Sequence, residues 1–108
     1  MPKVPLKGFY YHYKHDPNGL VNHYAYEVVG TARHSEDDTY VVVYRPLYEN
    51  EWSKSADYNV RPLDMFLENV TVNGITQPRF KHIDDPELIS TFSEMRLRLY
   101  PDTNGKER

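Results

Sequence analysis

The chain has 108 residues, 39% of them apolar, with ten tyrosines, four phenylalanines, one tryptophan, no cysteine and a net charge of −3. That length suits one domain with a core of its own, since a chain of about 100 residues buries roughly two-thirds of its unfolded surface. The missing cysteine excludes disulfides, thiolate zinc sites, iron–sulfur clusters and cysteine nucleophiles, and the acidic balance argues against non-specific binding to a nucleic-acid backbone.

Residues 1–7, with two prolines and two lysines, read as a flexible lead-in. They contain no apolar core of signal-peptide length, and no stretch reaches the ~18 apolar residues that span a bilayer, so a cytoplasmic location without membrane contact is expected. Phe9 to Lys14 is aromatic at almost every position and predicts a strand. Asp16-Pro17-Asn18-Gly19 is a turn signal, and the segment through Asn22 reads as a loop. Tyr24 to His34 predicts a longer strand, with Tyr26, Val28, Gly30 and Ala32 on one face and a bend or bulge at Gly30.

Ser35-Glu36-Asp37-Asp38 is an acidic turn leading into the β-branched run Tyr40 to Tyr44, so the pair predicts a hairpin. Leu47 to Asn59 is polar apart from Trp52 and reads as a long capping loop. After Val60 to Glu68, Val70-Thr71-Val72-Asn73-Gly74-Ile75-Thr76 carries the strongest short hairpin signal, Asn-Gly between β-branched residues. Asp84-Asp85-Pro86-Glu87 then supplies a helix start, and Leu88, Phe92, Met95 and Leu99 recur at helical spacing to about Leu99. The reading is an all-β, SH3-like barrel of about five strands with a C-terminal α-helix. The barrel takes residues 8–83, the helix 84–100 and a frayed tail 101–108.

Five strings carry a family resemblance when taken in order: Gly8 to Lys14, Tyr26 to Glu36 with its Ala-Arg-His-Ser-Glu, Val42 to Tyr48, Val60 to Glu68 with its Arg-Pro-Leu-Asp-Met-Phe, and Pro78-Arg79-Phe80. Together they closely resemble the small bacterial family catalogued as domain of unknown function 1653, over roughly residues 8 to 81. The resemblance implies a compact domain and no assigned activity. The loop from Asp16 to His23 is longer than the family's usual pattern, and the C-terminal helix lies outside the shared region.

Two near-repeated corners, Arg45-Pro46-Leu47 and Arg61-Pro62-Leu63, each end a strand-like run in a guanidinium next to a rigid proline. If the arginine-bearing strands are neighbours, Arg33, His34, Arg45 and Arg61 meet at one rim. The arginines would neutralise and orient an anion there, with Tyr44, Tyr48 and Trp52 supplying stacking area, His12 a pH-sensitive group, and Tyr10 and Asp64 completing the site. The favoured function is non-catalytic binding of a small anionic or nucleotide-like ligand, or of a short nucleic-acid segment. The bland alternative pairs each arginine with an acid such as Glu27, Glu36, Asp64 or Glu68 to brace a turn.

Other chemistries compete with this reading. His34 or His12 with Asp64 would make a small acid–base enzyme. Ser35 is a poor nucleophile because adjacent strand residues point to opposite faces. The tyrosines Tyr10, Tyr11, Tyr13, Tyr24 and Tyr26 suggest an RNA platform, which the acidic charge disfavours. His12 and His15 lack helical stacking, so no metal is expected, and no cofactor fingerprint occurs. The apolar stripe of the C-terminal helix would pack on the barrel or on a partner chain, and a third reading makes the chain a structural or regulatory module that docks a second copy or another protein through it.

Overall fold

The protein is described by a computed structural model over residues 3–48 and 58–101. Along the chain run β1 (Gly8–His12), β2 (Ala25–Arg33), β3 (Tyr40–Pro46), β4 (Asn59–Pro62), α1 (Leu63–Leu67), β5 (Asn69–Val72), β6 (Ile75–Pro78), β7 (Phe80–His82) and α2 (Pro86–Leu99). One five-stranded sheet has the order β4-β3-β2-β1-β7, antiparallel throughout, and β5 and β6 form a separate two-stranded sheet.

The fold is therefore β-rich with a C-terminal helix, but the sheet is not a closed barrel. Its edges, β4 and β7, do not pair with each other. Both edges are short, and Pro62 ends β4 by removing a ladder donor before the chain turns into α1. The predicted capping loop, including Trp52, and the tail beyond Pro101 lie outside the described residues. No helix among the described residues is long and apolar enough to cross a membrane.

Local chemistry explains the elements. Asp16 Oδ1 accepts from Asn18 N at 2.9 Å and closes the first turn. The register of β2 on β3 shifts between Val28 and Gly30, which places the predicted bulge at this glycine. The extra residue exchanges the two faces, so Gly30 and Ala32 do not continue the face of Tyr26 and Val28. Asn73 and Gly74 both have positive φ, 53° and 78°, as the tight β5–β6 turn requires. At α2 the Asp85 side chain accepts from Glu87 N at 3.0 Å with Pro86 in the first turn.

Two apolar clusters cover the two faces of the main sheet. Tyr10, Val28, Val42, Tyr44 and Phe80 pack with Leu63 and Phe66 of α1. On the other face, Phe9, Ala25, Leu47 and Ile83 pack with Phe92 of α2, flanked by Tyr11, Leu88 and Met95. The apolar stripe of the C-terminal helix faces the chain's own sheet: Phe92 is fully buried there, and Leu88 and Met95 are half-buried beside it. Sequence spacing reveals that a helix has an apolar face without revealing what covers it.

Candidate aromatic and guanidinium site

The two Arg-Pro-Leu corners bring their arginines to opposite faces of the sheet. Arg61 stands opposite Val42, on the α1 face, whereas Arg45 stands opposite Glu27, on the α2 face. Arg45 is 3% exposed. Its Nε donates to Glu27 Oε1 at 3.0 Å and its Nη2 lies 2.9 Å from the same oxygen. The second Glu27 oxygen accepts from Arg96 Nη1 of α2 at 3.0 Å. The Arg45 guanidinium also lies 4.1 Å from the centroid of the Tyr100 ring, whose hydroxyl donates to the Pro46 carbonyl at 2.6 Å. Arg45 therefore braces α2 against the sheet.

Arg61 is differently placed. Its guanidinium stands 5.8 Å from the Tyr44 ring centroid and 5.3 Å from that of Phe80, with Nη2 3.5 Å from the Tyr44 hydroxyl. No carboxylate pairs with it among the described residues, and its Nε is buried without a hydrogen-bond partner. Arg79, at the junction of β6 and β7, repeats the feature. Its Nη2 pairs with Glu68 at 3.0 Å while its buried Nε has no partner. A buried donor without an acceptor costs about 1–3 kcal/mol, so each of the two calls for a physical explanation.

Around the Arg61 guanidinium the rings make contiguous contacts. Tyr26 lies edge-on to Tyr44, Tyr48 and Phe80, with centroids 5.6, 5.8 and 5.8 Å away. Its hydroxyl is 2.7 Å from that of Tyr48, and burial with this bond pushes the Tyr26 phenol well above its ordinary pKa. His12 joins the row at 5.0 Å from Phe80 and stacks on Tyr24 at 5.3 Å. Beyond Tyr24 and Tyr48 a cavity of about 510 Å³ opens, lined also by Leu20, Asn22 and His23, a size that fits a small organic ligand.

The His12 Nδ1 accepts from the Lys14 amide at 3.2 Å, which leaves the proton of the neutral ring on Nε2. Its pKa is lowered to about 4, first by burial and then by Arg61, Lys14 and Arg79. At neutral pH this is an uncharged imidazole among cations.

The other residues expected at a common rim are dispersed. Arg33 pairs with Asp38 at 2.5 Å at the far end of the β2–β3 hairpin, where both are exposed. It stands opposite Tyr40, so about 17 Å of strand separates that position from Arg45. His34 is exposed in the same turn, 3.5 Å from Asp37. Tyr10 is buried edge-on to Phe66 and His82, donates to Leu6 O at 2.7 Å, and has its pKa raised to about 12, mainly by burial. Asp64 is exposed in the first turn of α1, and among the described residues no hydrogen bond or ion pair joins it to His12 or His34.

His12, Tyr44, Tyr48 and Arg61 gather on one face, with Tyr10 buried deeper in the same cluster. Phe80 lies beside both Arg61 and His12, and Arg79 precedes it; neither is among the residues expected at the rim, although Pro78-Arg79 shows the same arginine-beside-proline signal that marked the two corners. Among the described residues no three histidine, aspartate or glutamate side chains gather as a metal site would require.

These features define a class of small open-sheet domain, with helices on both faces and an aromatic cluster that carries the Arg61 guanidinium. The sequence profile described as protein of unknown function (DUF1653) matches residues 8–82, and the chain belongs to that family. It is similar to the crystal structure of a DUF1653 protein from Bordetella bronchiseptica, with 32% identity and a TM-score of 0.57, covering 74% of this chain and 92% of that one. No curated protein matches it.

Proposed function

We propose that the α1-side face of the sheet is a non-catalytic binding site for a small ligand with a flat ring and an anionic group. The observation that carries this reading is Arg61, a half-buried guanidinium that no carboxylate pairs among the described residues. The guanidinium would receive the anion, and the half-buried rings of Tyr24, Tyr26 and Tyr48 provide surface for stacking. The cavity beside Tyr24 and Tyr48 supplies space for the remainder of the molecule. An acid–base enzyme has less support, because Asp64 bonds to neither His12 nor His34 among the described residues.

Ligand-observed NMR against nucleosides, nucleotides and aromatic carboxylates tests the reading. Arg61→Met should remove binding of the anionic members while the chain stays folded. Absence of binding by every member, or binding indifferent to Arg61→Met, would overturn it.

A further inference from the structure

We infer that a groove between the β1–β2 loop and the end of α2 is a second binding site, and that it takes an N-acylated aromatic amino acid. The inference goes beyond the Arg61 reading and needs no contact with Arg61. Two cavities make the groove, one of about 510 Å³ at Leu20, His23 and Tyr24 and one of about 390 Å³ at Met95, Arg98 and Leu99. Asn22 and Tyr48 line both, so one elongated molecule can occupy the pair.

The groove changes chemistry along its length. Leu20 and the rings of His23, Tyr24 and Tyr48 wall the first cavity, which suits a flat apolar group. Tyr24 has a φ of 54°, a left-handed conformation unfavourable to a bulky residue, and meets His23 edge-on at 4.8 Å. Such strain persists only where the surrounding fold imposes it, and here it falls on the cavity wall. At the boundary Asn22 Nδ2 donates to Leu47 O at 3.0 Å, while its Oδ1 accepts no hydrogen bond among the described residues. A ligand N–H supplies the donor that this oxygen lacks.

The second cavity reaches Arg98 in the last turn of α2, an exposed residue that pairs with no carboxylate among the described residues. One planar guanidinium matches the two oxygens of one carboxylate. Ring, N–H and carboxylate in that order describe an aromatic α-amino acid. No aspartate or glutamate lines either cavity among the described residues, so a free ammonium would find no partner there and would be repelled by Arg98. Acylation removes that charge and keeps the N–H.

Isothermal titration with the N-acetyl derivatives of tryptophan, tyrosine and phenylalanine tests this. At least one should bind about ten-fold or more tightly than its own carboxamide, which lacks the anion. It should also bind more tightly than the matching 3-arylpropionate, which lacks the N–H. Arg98→Gln should abolish the preference over the carboxamide without moving the thermal midpoint, and Arg98→Lys should retain part of it. Arg61→Met should leave it intact. The carboxyl end of a peptide offers the same chemistry, so acetyl-Gly-Gly-Trp is titrated alongside. Tighter binding of the peptide supports the site with chain ends as its source, and equal or weaker binding supports it with free N-acyl amino acids.

Equal binding of acid and carboxamide, equal binding of the 3-arylpropionate, or a preference that survives Arg98→Gln overturns the inference. If the preference is lost in Arg61→Met and kept in Arg98→Gln, the Arg61 reading stands and this one falls. Binding of nucleotides through Arg61 with none of the three acids bound has the same consequence.

Discussion

The Arg61 guanidinium of β4 stands 5.3 Å from the ring centroid of Phe80 in β7, although these strands are the opposite edges of a five-stranded sheet. In a flat sheet four strand spacings would separate them by about 19 Å. Their contact requires the sheet to curl towards α1, and the bulge between Val28 and Gly30 adds local bend and twist at its centre. Phe80 also stacks on Phe66 of α1 at 4.3 Å, so the curl is filled by side chains instead of being closed by hydrogen bonds. This geometry concentrates the Arg61, His12 and tyrosine groups on one face.

The two corner arginines should respond oppositely to removal of their charge. Arg45→Met leaves buried Glu27 with Arg96 alone and should cost about 3–5 kcal/mol in urea unfolding. Arg61→Met relieves the orphaned Nε but also loses the guanidinium's contacts with Tyr44 and Phe80, and these offset to a net change of less than about 1 kcal/mol. Equal losses would show that both are braces.

Stability should fall on the acid side through His12. Unfolded histidine takes a proton near pH 6.5, roughly its ordinary value, whereas folded His12 resists until about 4. Between those values the unfolded chain binds more protons, so the contribution is complete above about 6.5 and is lost as pH falls towards 4. Allowing for solvent screening of a partly exposed ring, it amounts to about 1–2 kcal/mol. Urea midpoints at pH 4.5 and 7 should differ less in His12→Gln than in the parent; an unchanged difference would rule out His12 as the source.

Phe92→Ala should cost about 3–5 kcal/mol, because it empties the centre of the cluster joining α2 to the sheet. If α2 were instead a docking helix only loosely attached to its own chain, thermal unfolding would barely change.

Gly74→Ala should destabilise by about 1 kcal/mol through backbone conformation alone. Its φ is 78° and an added Cβ would meet nothing within 4 Å outside its own chain neighbours, so the loss has no component from packing against the rest of the fold. Gly74→Asn, better tolerated at positive φ, should recover part of it in the same denaturation assay.

The sequence by itself determined the elements whose causes are local. Asp85 and Pro86 start α2, Asn73-Gly74 closes β5 onto β6, and Gly30 marks the bulge. Each signal acts within a few residues, through a capping bond, an allowed φ or a missing Cβ. The short helix α1 went unread, although Leu63, Phe66 and Leu67 have helical spacing after Pro62; five residues give too few repeats to stand out. Part of the site was equally open to reading. Tyr44 and Arg45 are adjacent on one strand, so alternation alone assigns them to different faces.

Only the tertiary structure decided that Arg45 meets Glu27 and Arg96 while Arg61 meets Phe80. Those partners come from strands and helices far apart in the chain, and their meeting depends on register, sheet curl and the seat of α2. These are fixed cooperatively by packing of the whole core, which no local stretch of sequence contains.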